Sequence, residues 1–296
     1  MKKYVAIVLA ALLLLGSQIA CDEPSPQVPD IGVPTIEVGE MQDKREAIPL
    51  EGAEPVVVEL VFGAGDLEIE AGASEQLFSG HFRYNVERWE PEVTYADHVL
   101  TIEQGGADEE WGFPTGNTRN EWELEFSPEV PLDVSLKVGA GQGDLDLTGL
   151  QLAGLDLDLG AGDFTVQFGE PNGVEMGDFT LDAGASRLEV VGIGNASPEM
   201  VKVQGGVGNI TLDMTGDWSR SADVRVTAGV GALTLRLPDD VGVQVDVEGG
   251  LSHVNASGLE RDGDAYVNTV FGEAEVELRI EVTTGVGALH LIQVSD

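Results

Sequence analysis

From residue 56 to the last few residues the chain alternates apolar and polar positions with a period of two, and the alternation breaks at glycines. Val58-Glu59-Leu60-Val61-Phe62 runs into Gly63-Ala64-Gly65, after which Asp66-Leu67-Glu68-Ile69 resumes the alternation. Leu155-Asp156-Leu157-Asp158-Leu159, Gly160-Ala161-Gly162 and Asp163-Phe164-Thr165-Val166 repeat the unit, and further copies surround Gly139, Gly184, Gly206, Gly229 and Gly285. Aligned on the first glycine, position −3 holds Leu60, Leu136, Leu157, Leu181, Val203, Val226 and Val282. Position −5 holds Val58, Val134, Leu155, Phe179, Val201, Val224 and Ile280. The residues at −4 and −2 are polar except Val61. Beyond the corner, Leu67, Leu145, Phe164, Leu188, Ile210, Leu233 and Leu289 form a third apolar set. Ile69, Leu147, Val166, Val190, Leu212, Leu235 and Leu291 form a fourth. A strict period of two predicts strands with one buried face and excludes amphipathic helices.

The spacing of the copies then predicts how they assemble. From Gly139 to Gly229 the first glycines step by 21, 24, 22 and 23 residues. Such a period marks stacked units that cannot bury an apolar face alone. Two strands and a corner fit one coil of about 22 residues, so the expected fold is all-β, a parallel β-solenoid. A stack of hairpins in a sandwich is the alternative. The glycines admit a positive φ and close stacking at the corners. The copy at Gly139 carries two extra residues, Gln142-Gly143, the copy at Gly184 has Ser186 as its second corner residue, and a copy at Gly249-Gly250 is degenerate. Residues 131–296 are expected to form the repeat array. Residues 56–130 break the spacing and carry Trp89, Trp111 and Trp122, which predicts an N-terminal β region that caps the stack. The insertion from Gly258 to Gly272 is expected to cap the other end.

The N-terminus has the pattern of an exported protein. Lys2 and Lys3 precede an apolar run, Tyr4 to Leu15, too short to span a bilayer. Residues 1–20 therefore read as a signal peptide. Cys21, the chain's single cysteine, follows Ala20 directly. This resembles the lipobox of bacterial lipoproteins, although Gln18 stands where those proteins prefer an aliphatic residue. The resemblance implies lipidation of Cys21 and attachment to the membrane. Ordinary cleavage of a secretory leader would instead leave a free thiol. Residues 21–55, with prolines at 24, 26, 29, 34, 49 and 55, are expected to be a tether. Within it, Thr35-Ile36-Glu37-Val38 has the composition of an edge strand.

A wider resemblance rests on Phe62-Gly63-Ala64-Gly65-Asp66-Leu67, His81-Phe82-Arg83-Tyr84-Asn85, Pro91-Glu92-Val93, Pro131-Leu132-Asp133-Val134 and Gly139-Ala140-Gly141. In this order, from about residue 55 onward, they resemble the toast-rack domain of LiaF-like cell-wall-active antibiotic response proteins and related candidate adhesins. The resemblance implies an extended β architecture without catalytic residues. Proteins of the LiaF-like group carry membrane helices and act in envelope-stress signalling. This chain has no later stretch of membrane-spanning length, so that role transfers weakly.

Charge narrows the partners. The formal net charge is −38, and removal of Lys2 and Lys3 leaves 13 basic against 53 acidic residues, a net of −40. That sign excludes nucleic acid, whose phosphates need neutralisation by Lys and Arg. Asp144, Asp146, Asp156, Asp158 and Asp163 are outward by the alternation and form a candidate calcium surface, although the calcium-binding nonapeptide spacing is missing. The competing reading is a solvated face. Thr165, Thr211 and Thr234 also point outward, either as β-formers or as an adhesive ladder. His81, His98, His253 and His290 show no metal-ligand spacing. Each Gly-Ala-Gly corner is followed by a strand, whereas a phosphate-binding loop needs a helix. No catalytic, cofactor or metal residue is therefore assigned. The expected role is a non-enzymatic, membrane-tethered domain that binds an envelope protein or glycan. The alternatives are an envelope-stress regulator and, more remotely, a carbohydrate-active enzyme.

Overall fold

The computed structural model describes residues 35–106, 113–114 and 117–295, with the backbone alone at 35–36, 113–114 and 250–252. The leader, Cys21, the first part of the tether and Trp111 lie outside the described residues. The strands are β1 (Thr35–Ile36), β2 (Gln42–Pro49), β3 (Val56–Ala71), β4 (Gln76–Tyr84), β5 (Pro91–Ala96), β6 (Val99–Gln104), β7 (Phe113–Pro114), β8 (Asn120–Phe126) and β9 (Pro131–Asp146). They continue with β10 (Gln151–Gln167), β11 (Asp178–Val191), β12 (Met200–Asp213), β13 (Ala222–Pro238), β14 (Gly242–Ser257), β15 (Glu260–Asp262), β16 (Ala265–Val267) and β17 (Glu277–Val294). A single turn of helix, α1 (Ile193–Ala196), joins β11 to β12. The molecule is thus nearly all β.

All but β1 and β7 form one open sheet, in the order β15-β16-β14-β17-β13-β12-β11-β10-β9-β3-β8-β4-β2, with β6 beside the first half of β3 and β5 beside β6. The repeats pair in parallel with their corners in register; Gly143 on β9 takes the place of Leu67 and Phe164, and Leu145 stands beside Ile69 and Val166, so the two extra corner residues read in the Gly139 copy are not an insertion. Leu157 lies between Leu136 and Leu181, and Leu233 between Ile210 and Leu289. Hairpins would pair antiparallel, so the sandwich alternative is overturned. Each copy is also one continuous strand through its corner, where two strands per copy were expected. Pairing lapses at the first glycine and resumes at once, as in Leu159↔Ala183 followed by Ala161↔Ala185.

Chain closure shows that these long strands are sharply bent. β9 ends at Asp146, yet Gln151 already pairs with Pro131, the first residue of β9. Five Cα steps reach at most about 18 Å, whereas a straight strand of this length would rise about 50 Å. The bend falls at the glycine corner, where the inward parity switches from Phe62 to Leu67. All four apolar sets read from the sequence are buried and belong to one core. Phe168, Met176, Ile193, Met214, Trp218 and Val241, from the segments that connect the strands, close that core. Burial of each large apolar side chain contributes about 1.5–3 kcal/mol.

One inward column escapes the four sets. Phe62, Val138, Leu159, Ala183, Gly205 and Ala228 follow one another in register just before the first glycine. The largest side chains, Phe62 and Leu159, fill the corner toward β3, whereas Ala183, Gly205 and Ala228 leave it narrower before the column reaches buried Thr284 on β17.

Both ends of the stack depart from chain order. β6 and β8 together form a divided strand beside β3, pairing with Val57–Val61 and Asp66–Ala71 respectively. The chain between them leaves and returns at the corner. β4 and β2 extend this end antiparallel, so residues 42–49, inside the segment read as tether, belong to the sheet. An edge strand needs one partner and only a half-buried face, which this charged segment can supply. Thr35–Ile36 does pair, with Phe113–Pro114. At the other end β17 inserts between β13 and β14. The degenerate copy at Gly249-Gly250 is therefore the terminal member. The intact corner of β17 stacks on the intact corner of β13, and the imperfect one is left where a single neighbour suffices. Part of the Gly258–Gly272 insertion, β15 and β16, folds back onto β14.

Candidate functional site: an acidic face beside the corner

Register turns scattered acids into rows. In the strand half that follows the corner, the outward position nearest the corner carries Glu121, Asp66, Gln142, Asp163 and Arg187 on β8, β3, β9, β10 and β11. The next outward position carries Glu123, Glu68, Asp144, Thr165 and Glu189. Neighbours within a row are about 4.8 Å apart. The two rows and Arg83 line an open groove of about 540 Å³.

The cations at this groove are engaged. Arg83 pairs with Glu121 at 3.0 Å and Glu123 at 2.7 Å, and Arg187 lies 3.6 Å from Asp163. Asp66, Glu68 and Asp144 have no ion-pair partner among the described residues. Glu123, Glu68 and Asp144 stand side by side on adjacent strands; Arg83 offsets the charge of Glu123, whereas Glu68 and Asp144 face each other uncompensated, at a cost of a few tenths to about 1 kcal/mol.

The groove ends beside β2. His81 on β4 places Nε2 3.0 Å from an Asp43 oxygen and Nδ1 3.0 Å from a Glu123 oxygen, with Arg45 3.3 Å from Nε2. The hydrogen bond from His81 holds the Asp43 carboxyl below its usual range, aided by the charges of His81, Arg45 and Arg83 against a smaller opposing effect of burial. In the sequence His81 stands among four scattered histidines and within the His81–Asn85 motif, and neither marks its contact with Asp43 and Glu123.

A second polar cluster replaces the glycine corner in the divided strand. Gln104 Oε1 accepts from Gly63 N at 2.9 Å and from Asn120 Nδ2 at 2.8 Å. Asn120 also donates to Ala64 O at 2.8 Å and accepts from Trp122 Nε1 at 3.0 Å. Trp122 packs edge-on against Phe62 and Phe82 at 4.9 and 5.0 Å. The cluster ties this end of the stack together. Nothing in the local pattern marked it, because neither Gln104 nor Asn120 resembles a glycine.

The residues singled out from the sequence are only partly brought together. Asp144, Asp146 and Asp163 lie after the corner, whereas Asp156 and Asp158 lie before it on β10, so the five do not form one cluster. Among the described residues no group of three or more His, Cys, Asp or Glu side chains is placed to hold a metal ion. Thr211 and Thr234 are neighbours, but Glu189 separates Thr165 from them, so the threonine ladder is interrupted. His98 sits with Asp97 in a tight turn, both at positive φ, and His253 and His290 lie on β14 and β17. Cys21 lies outside the described residues. No helix among the described residues is long and apolar enough to cross a membrane.

These features define a class: an all-β repeat protein whose parallel, glycine-cornered strands carry a charged outer face. The family model described as the N-terminal domain of toast_rack, DUF2154, matches residues 37–191 and 177–236. The chain belongs to the toast-rack family. It is similar to a candidate cell adhesion protein from Clostridium sporogenes ATCC 15579, with 25% identity and a TM-score of 0.48, covering 86% of this chain and 100% of that one. It is also similar to a candidate adhesin from Bacteroides fragilis NCTC 9343, with 14% identity and a TM-score of 0.38, covering 87% of this chain and 99% of that one. A search of curated proteins finds no match.

Proposed function

We propose that the protein is a non-enzymatic, extracytoplasmic binding domain, held at the membrane through lipidated Cys21, whose acidic face engages a basic partner surface in the cell envelope. The observation that carries this reading is the adjacent pair Glu68–Asp144 with Asp66 beside it, three acids of the groove without an ion-pair partner among the described residues. The partner chemistry follows from the charge. A groove that holds the unpaired carboxylates of Asp66, Glu68 and Asp144 attracts Lys- and Arg-rich protein surfaces and repels anionic glycans. In this reading the bent strands wind as solenoid coils of about 22 residues, which makes the face long and rigid.

The test is a pull-down from envelope extracts with the wild-type chain and with a Glu68→Gln, Asp144→Asn variant. The variant should lose the partner and melt at a higher temperature, since it sheds a like-charge row. A partner retained by the variant would refute the acidic-face reading. Turnover of any polysaccharide would refute the non-enzymatic one. Cys21→Ser should release the protein into the medium, and retention at the membrane would refute the anchor.

A further inference from the structure

The row of outward positions that holds Asp144, Glu68 and Glu123 does not end at β8. It continues to His81 on β4 and Arg45 on β2, so neighbouring strands carry Arg45, His81, Glu123, Glu68 and Asp144 side by side. His81 stands one strand spacing from Glu123, two from Glu68 or about 10 Å, and three from Asp144 or about 14 Å. Imidazole is the side chain whose charge changes between about pH 5 and 8. The acidic row thus ends in a group that can turn into a cation.

The partners of the ring give each of its charge states a bond. Nδ1 lies 3.0 Å from Glu123, and an ionised carboxylate only accepts, so Nδ1 carries hydrogen in either state. Nε2 lies 3.0 Å from Asp43 and 3.3 Å from Arg45. One of these accepts and the other donates, and a single ring nitrogen serves one of them at a time. Protonated, Nε2 donates to Asp43. Neutral, it accepts from Arg45. Both residues belong to β2, so that strand keeps its contact with His81 throughout, and the change is in the charge of the row. The other charged groups on this face are Arg83 on β4, Glu121 and Glu125 on β8, and Asp66 and Glu70 on β3. Arg83 pairs with Glu121 and Glu123, and Arg119 lies 3.6 Å from Glu121.

We infer that His81 is a proton switch on the acidic groove: its neutral form leaves Glu68 and Asp144 to hold a basic partner, and its imidazolium form, a cation within the same row, weakens that hold. The inference rests on the acidic-face reading above and adds its regulation. Partner capture is strongest toward pH 8 and falls toward pH 5. A unit charge about 10 Å from a partner's charge changes affinity at least about twofold, even at the dielectric constant of water.

Titration of a labelled hexalysine peptide into the full chain tests the switch, at about 0.01 M salt, where the Debye length is about 30 Å. The ratio of His81→Gln affinity to wild-type affinity should rise at least about twofold from about pH 8 to about pH 5, because the glutamine amide stays neutral. Protonation of the carboxylates is common to both chains and cancels in the ratio. Nitrogen NMR of the His81 ring in the unliganded wild-type chain gives a readout independent of any variant. Nε2 should be a hydrogen-bond acceptor at about pH 8, and both ring nitrogens should carry hydrogen at about pH 5. Absence of hexalysine binding at either pH would refute the acidic-face reading and the regulation with it. Binding with a ratio that ignores pH, or an Nε2 that keeps its hydrogen at about pH 8, would refute the switch and leave the acidic-face reading standing.

Discussion

At the scale of single residues, the corners are set by backbone contacts that leave no room for a side chain. Gly162 has φ +153°, and a Cβ built on it would stand 1.8 Å from Gly141 O on the neighbouring strand. The first glycine of the same corner is equally close, with a Cβ at Gly160 lying 2.0 Å from Gly139 O. Gly162→Ala must therefore move the stacked backbone as well as strain its own, and should cost at least about 2 kcal/mol in denaturant unfolding. Ser186 occupies the second-glycine position in β11 and is not among the residues with positive φ, so that corner meets the same register with a different backbone. The Gln104 cluster gives a second residue-scale prediction. Gln104→Ala leaves Gly63 N–H without its acceptor and deprives Asn120 of one, and should destabilise by about 1–3 kcal/mol. Its thermal midpoint should fall, whereas Gln142→Ala, on the solvent side of β9, should leave the midpoint unchanged.

At the scale of elements, β2 is the strand whose attachment depends on ionised groups. Besides its backbone ladder with β4, it reaches β8 through Asp43, His81 and Glu123. The Asp43 carboxyl is held below its usual value of 3.8, so the folded state favours its charged form. This contribution is fully present above that value and is lost as pH falls through the lowered one. Amide protection of β2 should therefore hold steady down to about pH 4 and fall below it. Asp43→Asn should abolish that acid-side step while leaving the exchange of β10 and β11 untouched. A step that persists in the variant would assign the pH dependence to other groups.

At the scale of the whole molecule, repulsion among acids opposes an apolar core that runs through every repeat. Raising ionic strength from about 0.01 to 0.15 M shortens the Debye length from about 30 to 8 Å. The thermal midpoint should rise over that range, and the Glu68→Gln, Asp144→Asn variant should show a smaller rise. Equal salt responses would mean that the acidic rows do not strain the fold.

The amino-acid sequence by itself determined the strands, their inward faces and the corners. Apolar alternation and the Gly-x-Gly breaks are local signals, and burial of Leu60, Leu157 or Leu233 follows from period two alone. It also showed which pairs of copies resemble each other. The order of strands was decided by tertiary fit. β17 lies inside β14 because an intact corner packs against another intact corner, and that preference compares segments far apart in the chain. The divided strand was hidden for a related reason: Gln104 and Asn120 rebuild with side-chain hydrogen bonds what elsewhere two glycines provide. The acidic row was hidden most completely. Glu68, Glu123 and Asp144 are ordinary outward acids in three separate strands, and only parallel register sets them side by side, where their charges add.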